Sequence, residues 1–164
     1  MFKVGQKVYS QTSGVCVISL MEKKNFGIGE KEYLVLESIF KKQSLKTFIP
    51  ADKADTQLRN LITKKEAKDL LKYIKTAERV WESDPKVRRQ KFEDMYKSKD
   101  LKTICQLIKS LYLQNEELKK IKKSLSMLDK DFLDKLQTDI IEEMSLVFEI
   151  SLEESKELLE KSLI

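Results

Sequence analysis

The most constraining feature of this 164-residue chain is a change in hydrophobic periodicity near residue 52. Residues 1–50 contain short β-branched runs, such as "GVCVISLMEKK" and "KEYLVLESIF". Gly27 and Gly29 predict a hairpin turn between these two runs. Pro50 cannot donate to a strand ladder, so it should end its strand or lie at an edge. This half therefore predicts four or five short strands in a small, curved antiparallel sheet or barrel.

The last of these predicted strands is "SLKTFIP". Its alternating residues are Leu45, Thr47 and Ile49 against Lys46 and Phe48.

From residue 52 onward the apolar residues recur at helical spacing, and residues typical of helix N-termini recur with them. Thr63 with Glu66 forms a capping box that opens a helix through about residue 77, with an apolar stripe from Leu58 to Ile74. The remaining helices are predicted to begin at Asp84 or Ser83 before Pro85, at Ser98 or Asp100, at Ser126, and at Ser151 with Glu154.

The pattern predicts an α+β chain with two domains, a β domain over 1–58 and a compact all-α domain of about five helices over 59–164. The polar segment 114–126 is expected to be a frayed helix extension. The acidic residues within 129–160 are expected to face outward, where solvation accounts for them.

Composition excludes several kinds of catalytic site. The chain has no histidine, so a Ser-His-Asp triad, a Cys-His pair and a His-ligated zinc are impossible. Its four glycines do not form a phosphate-binding loop, and Cys16 and Cys105 lie too far apart for a metal-ligand pair. We therefore expect no enzyme, no cofactor, no metal and no small-molecule substrate. Two isolated cysteines favour a reducing cytoplasm, and we expect neither a secretory signal nor a membrane partner.

Charge is distributed unevenly along the chain. Residues 60–125 hold 18 basic and 10 acidic residues, a net charge of +8, whereas residues 126–164 hold 4 and 11, a net charge of −7. The basic segment is therefore the candidate surface for a polyanion. A solvated lysine-rich face would have the same composition.

Trp81, the only tryptophan, lies in a connector just before a predicted helix start. Basic residues surround it in sequence: Arg79, Lys86, Arg88, Arg89 and Lys91. An aromatic ring among cations could stack on or wedge beside nucleic-acid bases while the cations bind phosphates. Alternatively, Trp81 could fold back on the helix that follows it, as a hydrophobic staple. Spacing alone does not decide between the two.

The segments "FKVGQKVYS", "SGVCVISLME", "KEYLVLES" and "SLKTFIPADKAD" resemble the N-terminal half of the CarD/CdnL family of bacterial transcription regulators. The segment "WESDPKVRRQKFEDMYKSKDLKTICQLIKSLYLQNEE" resembles the start of that family's helical C-terminal domain. The resemblance covers roughly residues 1–115.

For the front half, the resemblance implies a Tudor-like (SH3-like) β domain that binds the β subunit of RNA polymerase. In the family an edge strand pairs with a strand of that subunit, so that backbone groups supply affinity. That strand corresponds here to Lys46, Thr47, Phe48, Ile49 and Pro50. Lys24 falls at a position that is often basic in the family, while Phe48 replaces a residue that is basic in some members.

For the rear half, the resemblance implies a helical domain that contacts promoter DNA without sequence preference at the upstream edge of the melted bubble and so stabilises the open complex. Trp81 would be pushed against the minor groove, with Arg88, Arg89 and Lys91 on phosphates and Arg79 and Lys86 in the same basic surface. Better-known members place the tryptophan almost adjacent to the arginine pair, whereas here the run is "WESDPKVRR".

Three other functions remain open from sequence. A small β barrel with basic helices also suits an RNA-binding or ribosome-associated protein. An enzyme could use carboxylates such as Glu93 and Asp94. A pure adaptor could pack Trp81 in its core.

Overall fold

The structure, a computed structural model, describes residues 1–41 and 46–164. It divides into two compact units, Met1–Ile62 and Thr63–Ile164. The division falls a little after the expected boundary at 58/59, because Arg59 and Asn60 pair with the first strand and so belong to the sheet. Leu45, predicted within a strand, lies outside the described residues.

The first unit is built on one antiparallel sheet, as the sequence predicts. Its strands in spatial order are β4-β3-β2-β1-β5. Their bounds are β1 Lys7–Ser10, β2 Gly14–Asn25, β3 Glu30–Ser38, β4 Thr47–Pro50 and β5 Arg59–Asn60.

One face of this sheet carries the apolar core of the unit. The core residues are Val8, Cys16, Ile18, Leu34, Leu36, Ile49, Ala54 and Leu58. Ala54 begins the short helix α1, Ala54–Gln57, and Leu58 follows it in extended conformation. The expectation that Leu58 belongs to the stripe of the next helix is therefore wrong, because its side chain covers the sheet instead.

The second unit contains five helices, which confirms the predicted number. Their bounds are α2 Lys64–Thr76, α3 Pro85–Lys97, α4 Leu101–Lys120, α5 Met127–Phe148 and α6 Leu152–Leu163. Each begins at a polar N-cap that binds a backbone N–H of the first turn: Thr63, Asp84, Asp100, Ser126 and Ser151. These hydrogen bonds satisfy donors that a helix start leaves unpaired.

Two expectations for these helices are wrong. The segment from Gln114 is regular helix as far as Lys120 rather than frayed, and Arg79 binds the side chains of Gln114 and Glu117 there. The acidic residues of α5 do not all face outward, because Asp139, Glu142 and Glu143 are buried. Asp139 is paired with Lys135 at 2.7 Å, which compensates its charge.

The core of the second unit is apolar except for a few satisfied polar groups. Its most deeply buried large side chains include Ile74, Leu107, Ile108, Leu111, Met144, Leu159 and Leu163. Lys109 is also buried, and its Nζ donates hydrogen bonds to the carbonyl oxygens of Ile74 and Lys75 at 2.5 and 2.7 Å. A cation at these carbonyls complements the negative end of the α2 dipole. Among the described residues, no helix has both the length and the apolar character needed to cross a membrane.

Lys109→Met should lower the free energy of unfolding by about 2 kcal/mol, because two carbonyls of α2 lose a charged donor and have no replacement. Chemical denaturation followed by circular dichroism measures this. Lys120→Met, an exposed position on the same helix, is the matched control and should change the value by less than about 0.5 kcal/mol. Equal stability of the two variants would contradict the role given to Lys109.

Candidate functional sites

The first candidate site is the β4 edge of the sheet. β4 pairs with β3 on one side only, from Leu36↔Thr47 to Tyr33↔Pro50, and no strand in 1–41 or 46–164 pairs with its other side. Ile49 points into the core and Thr47 lies 3.2 Å from the Ser13 hydroxyl. Those two side chains are thus committed within the unit, and the outer edge offers mainly backbone groups.

Lys24 and Phe48, which the sequence analysis predicted for one contact, lie together on the other face of the sheet. The Lys24 Nζ is 4.6 Å from the centroid of the Phe48 ring. Lys24 also pairs with Glu22 at 3.4 Å, while Lys46 pairs weakly with Glu37 at 3.9 Å. This part of the surface therefore combines an aromatic ring with a partly neutralised cation.

The sequence analysis missed Phe26, which joins this pair. Its ring lies edge-on to Phe48 at 5.6 Å and to Tyr33 at 5.0 Å, yet 56% of the residue is exposed. Asn25 holds the hairpin tip, since its Oδ1 accepts hydrogen bonds from the N–H groups of Gly27 and Gly29. Both glycines have positive φ, which only glycine adopts without strain. An apolar residue between turn glycines in "NFGIG" is the signal that could have identified it.

The second candidate site centres on Trp81, which lies half-buried in the connector between α2 and α3. Its ring packs against Phe92 at a centroid distance of 5.8 Å and an interplanar angle of 60°. The Arg88 guanidinium lies over the ring at 4.5 Å. The fold-back onto the following helix, one of the two alternatives left open by the sequence, is thus present, and it leaves part of the residue accessible.

Arg88 is held from several directions at once. Its Nη1 donates to the Glu82 carbonyl oxygen at 2.9 Å, and its Nη2 lies 3.5 Å from the Asp129 carboxylate of α5. Only 14% of the Arg88 side chain is exposed. A phosphate at Arg88 would compete with these contacts, so the geometry favours Arg88 as a support for Trp81.

The other predicted basic residues fall into two groups. Arg79 donates hydrogen bonds to Gln114 and, at 2.6 Å, to the Glu117 carboxylate. The bond to Glu117 holds the pKa of that carboxyl below its usual range. Lys91 pairs with Glu82 at 3.7 Å, with both side chains well exposed. Lys86 and Arg89 are exposed and form no ion pair within the described residues.

Lys86 and Arg89 are three residues apart, so they share a face of α3. Together with Pro85, Gln90 and Glu93 they line a shallow depression on that helix. Among the predicted basic residues, these two are both exposed and outside any ion pair within the described residues.

Comparison with protein families gives two matches along the chain. Residues 2–62 match the CarD-like/TRCF RID domain, and residues 69–160 match the CarD C-terminal domain. This chain belongs to the CarD/CdnL family. The five-stranded sheet is accordingly the family's Tudor-like domain, and the family is one of non-enzymatic transcription regulators that interact with RNA polymerase.

Both candidate sites lie within the ranges matched to the CarD family. The β4 edge with Phe26 falls in the first range, and Trp81 with α3 falls in the second. A comparison with curated proteins gives no match.

Because Trp81 is the only tryptophan, its fluorescence reports directly on this CarD-family site. Arg88→Ala should shift the emission to longer wavelength and increase quenching by acrylamide, since the ring loses its guanidinium cover and its connector loses a carbonyl contact. Arg89→Ala, the exposed neighbour, is the matched control and should leave both readouts unchanged. Identical spectra for the parent and Arg88→Ala would show that Arg88 does not hold the ring.

Proposed function

We propose that this CarD-family protein binds the β subunit of RNA polymerase through its β4 edge and contacts promoter DNA, without sequence preference, at the upstream edge of the melted bubble. Trp81 makes the key DNA contact, and the result is a more stable open complex. The observation that carries the DNA part is a single, partly accessible tryptophan ring held in place by Arg88 and Phe92.

The polymerase contact is supported by the unpaired outer side of β4. A strand of the partner can continue the sheet through backbone hydrogen bonds, with neighbouring side chains selecting the partner. Phe48 and Phe26 supply aromatic surface beside that edge, and aromatic residues are frequent among the residues that dominate binding energy. The ring of Phe48 thus takes the place of the basic residue found in some family members.

The DNA contact does not require recognition of the base sequence. One ring stacked on a base or wedged beside it contributes about 1–3 kcal/mol, and exposed cations hold the neighbouring phosphates. Lys86 and Arg89 suit that task, and Lys91 could exchange its exposed acidic partner for phosphate at small cost. Arg88 acts by positioning Trp81.

Tethering explains how so small a DNA contact could matter. A ligand shifts an equilibrium only by its difference in affinity for the two states, and the open complex is the state that offers both contacts. Attachment to polymerase raises the local concentration of the DNA-contacting surface. An increase of about tenfold in open-complex lifetime corresponds to about 1.4 kcal/mol, within reach of one aromatic contact.

We infer that the protein acts in the cytoplasm with polymerase and performs no chemistry of its own. Burial raises the pKa of Cys105 to about 12, so that thiol stays protonated at neutral pH and is a poor nucleophile. Affinity purification from lysate distinguishes the alternative function, because recovery of ribosomal RNA without polymerase subunits would favour an RNA-binding protein.

Phe48→Ala should weaken binding to RNA polymerase by about tenfold or more, since it removes the ring of the edge strand that contacts both Lys24 and Phe26. Titration of labelled protein with polymerase measures this. Leu158→Ala, a partly exposed apolar residue of α6, is the control and should bind like the parent. Parent-like affinity of Phe48→Ala, together with a parent-like melting temperature, would place the polymerase contact elsewhere.

Trp81→Ala should abolish most of the increase in open-complex lifetime, while the affinity for polymerase stays unchanged. The measurement is the dissociation rate of promoter complexes after challenge with a competitor, with and without the protein. Lys86→Ala/Arg89→Ala should give a partial loss, and Leu158→Ala should behave like the parent. A lifetime effect that survives Trp81→Ala would remove tryptophan from the mechanism.

A further inference from the structure

α2 carries a row of lysines that the proposed sites do not use. The five are Lys64, Lys65, Lys68, Lys72 and Lys75, and all are exposed. At 100° per residue they fall within an arc of about 100° on the helix. Ala67, Leu70 and Ile74 are the buried residues of α2 and lie on the opposite side of the helix. The lysine row therefore forms one continuous basic face.

The lysines of this face form no ion pair within residues 1–41 and 46–164, although Asp69 of the same helix is also exposed. None of the five lysines lies within 4.0 Å of a carboxylate anywhere in the described chain. The acidic residue of the first turn, Glu66, is occupied by its capping box with Thr63. In α4, α5 and α6, by contrast, Lys119, Lys135 and Lys156 each pair with an acidic residue three or four positions away.

Several pairs within the row are electrostatically unfavourable. Lys64 and Lys68, and again Lys68 and Lys72, are like charges four residues apart, which repel each other. Lys64 and Lys65 also stand in the first turn, where the helix dipole favours anions. A polyanion bound along this face would relieve both effects.

We infer that the lysine face of α2 is a second phosphate-binding surface, which takes the sugar–phosphate backbone of duplex DNA. The inference rests on the proposed function, in which this unit contacts promoter DNA. From Lys65 to Lys75 the row spans about 15 Å along the helix axis, about the axial length of four phosphates on one strand. Lysines in such a row bind phosphates as point charges and read no sequence.

The lack of a large, fully exposed apolar side chain on this face favours DNA over a protein partner. None of the exposed large hydrophobic residues in the described chain belongs to α2. Protein interfaces have an apolar or aromatic centre with few charges, whereas nonspecific DNA contacts are dominated by lysine and arginine on phosphates.

The test measures how the affinity of the full-length protein for a short duplex of arbitrary sequence depends on salt concentration. Each phosphate contact contributes about 0.9 to the slope of log K against log salt. Lys68→Gln/Lys72→Gln should therefore reduce the magnitude of the slope by about 2, with little change in helix propensity. Lys156→Gln/Lys161→Gln on α6 removes the same net charge and should leave the slope unchanged.

Three results would overturn the inference: an unchanged slope for the α2 variant, an equal loss in the α6 control, or no DNA binding by the parent even at low salt. Polyglutamate is a further probe. If Lys68→Gln/Lys72→Gln weakens binding to polyglutamate but not to DNA, the face binds carboxylates and the inference is wrong.

The same variants separate this inference from the proposed function. Trp81→Ala removes no charge and should keep the parent slope. A slope that responds to the α2 lysines in a protein without effect on open-complex lifetime would reject the proposed function and retain the DNA surface. A longer open-complex lifetime, together with a salt slope that the α2 substitutions leave unchanged, would support the proposed function and reject the α2 surface.

Discussion

The contact on which the candidate DNA site depends is the Arg88 guanidinium. This one group covers the Trp81 ring, binds the carbonyl oxygen of Glu82 in the same connector, and pairs with Asp129 at the start of α5. An aromatic side chain in a connector would otherwise sample several rotamers, and ordering it on binding would cost free energy. Because Arg88 is largely buried, salt screens these contacts less than it screens surface pairs. Trp81 thus has a defined orientation before any DNA is bound.

This role divides the basic residues of the second unit by task. Arg88 and Arg79 donate hydrogen bonds to other groups of the protein, and both hold the connector that contains Trp81. Lys86, Arg89 and the lysines of α2 are exposed and form no ion pair within residues 1–41 and 46–164. The net charge of +8 over residues 60–125 counts both kinds of basic residue alike. Charge alone therefore could not separate the residues that hold Trp81 in place from those that are free to bind phosphate. The separation follows from burial and from the position of the partner.

The sequence predicted the features that depend on interactions between residues only a few positions apart. Thr63 and Ser151 were identified as helix caps, and Asp84 as one of two candidates, because the group that each cap binds lies at most three positions away. Hydrophobic periodicity predicted the antiparallel sheet and the helical domain, and the family resemblance added that the sheet is Tudor-like. Features that depend on distant neighbours were missed or wrongly placed: Asp129 as the partner of Arg88, Phe26 beside Phe48, and the burial of Glu143. No local pattern states which helix or strand will cover a given side chain.

The composition of the two surfaces bears on what such a regulator could do. The β4 edge offers backbone groups and rings, and the proposed DNA-binding surfaces offer one ring and cations, so nothing in them distinguishes one base pair from another. A factor of this kind would add a similar stabilisation to the open complex at every promoter. Where opening limits transcription, that stabilisation would raise output. Where escape from the open complex limits transcription, the same free energy would have to be overcome and would lower it, so the sign of regulation would be a property of the promoter.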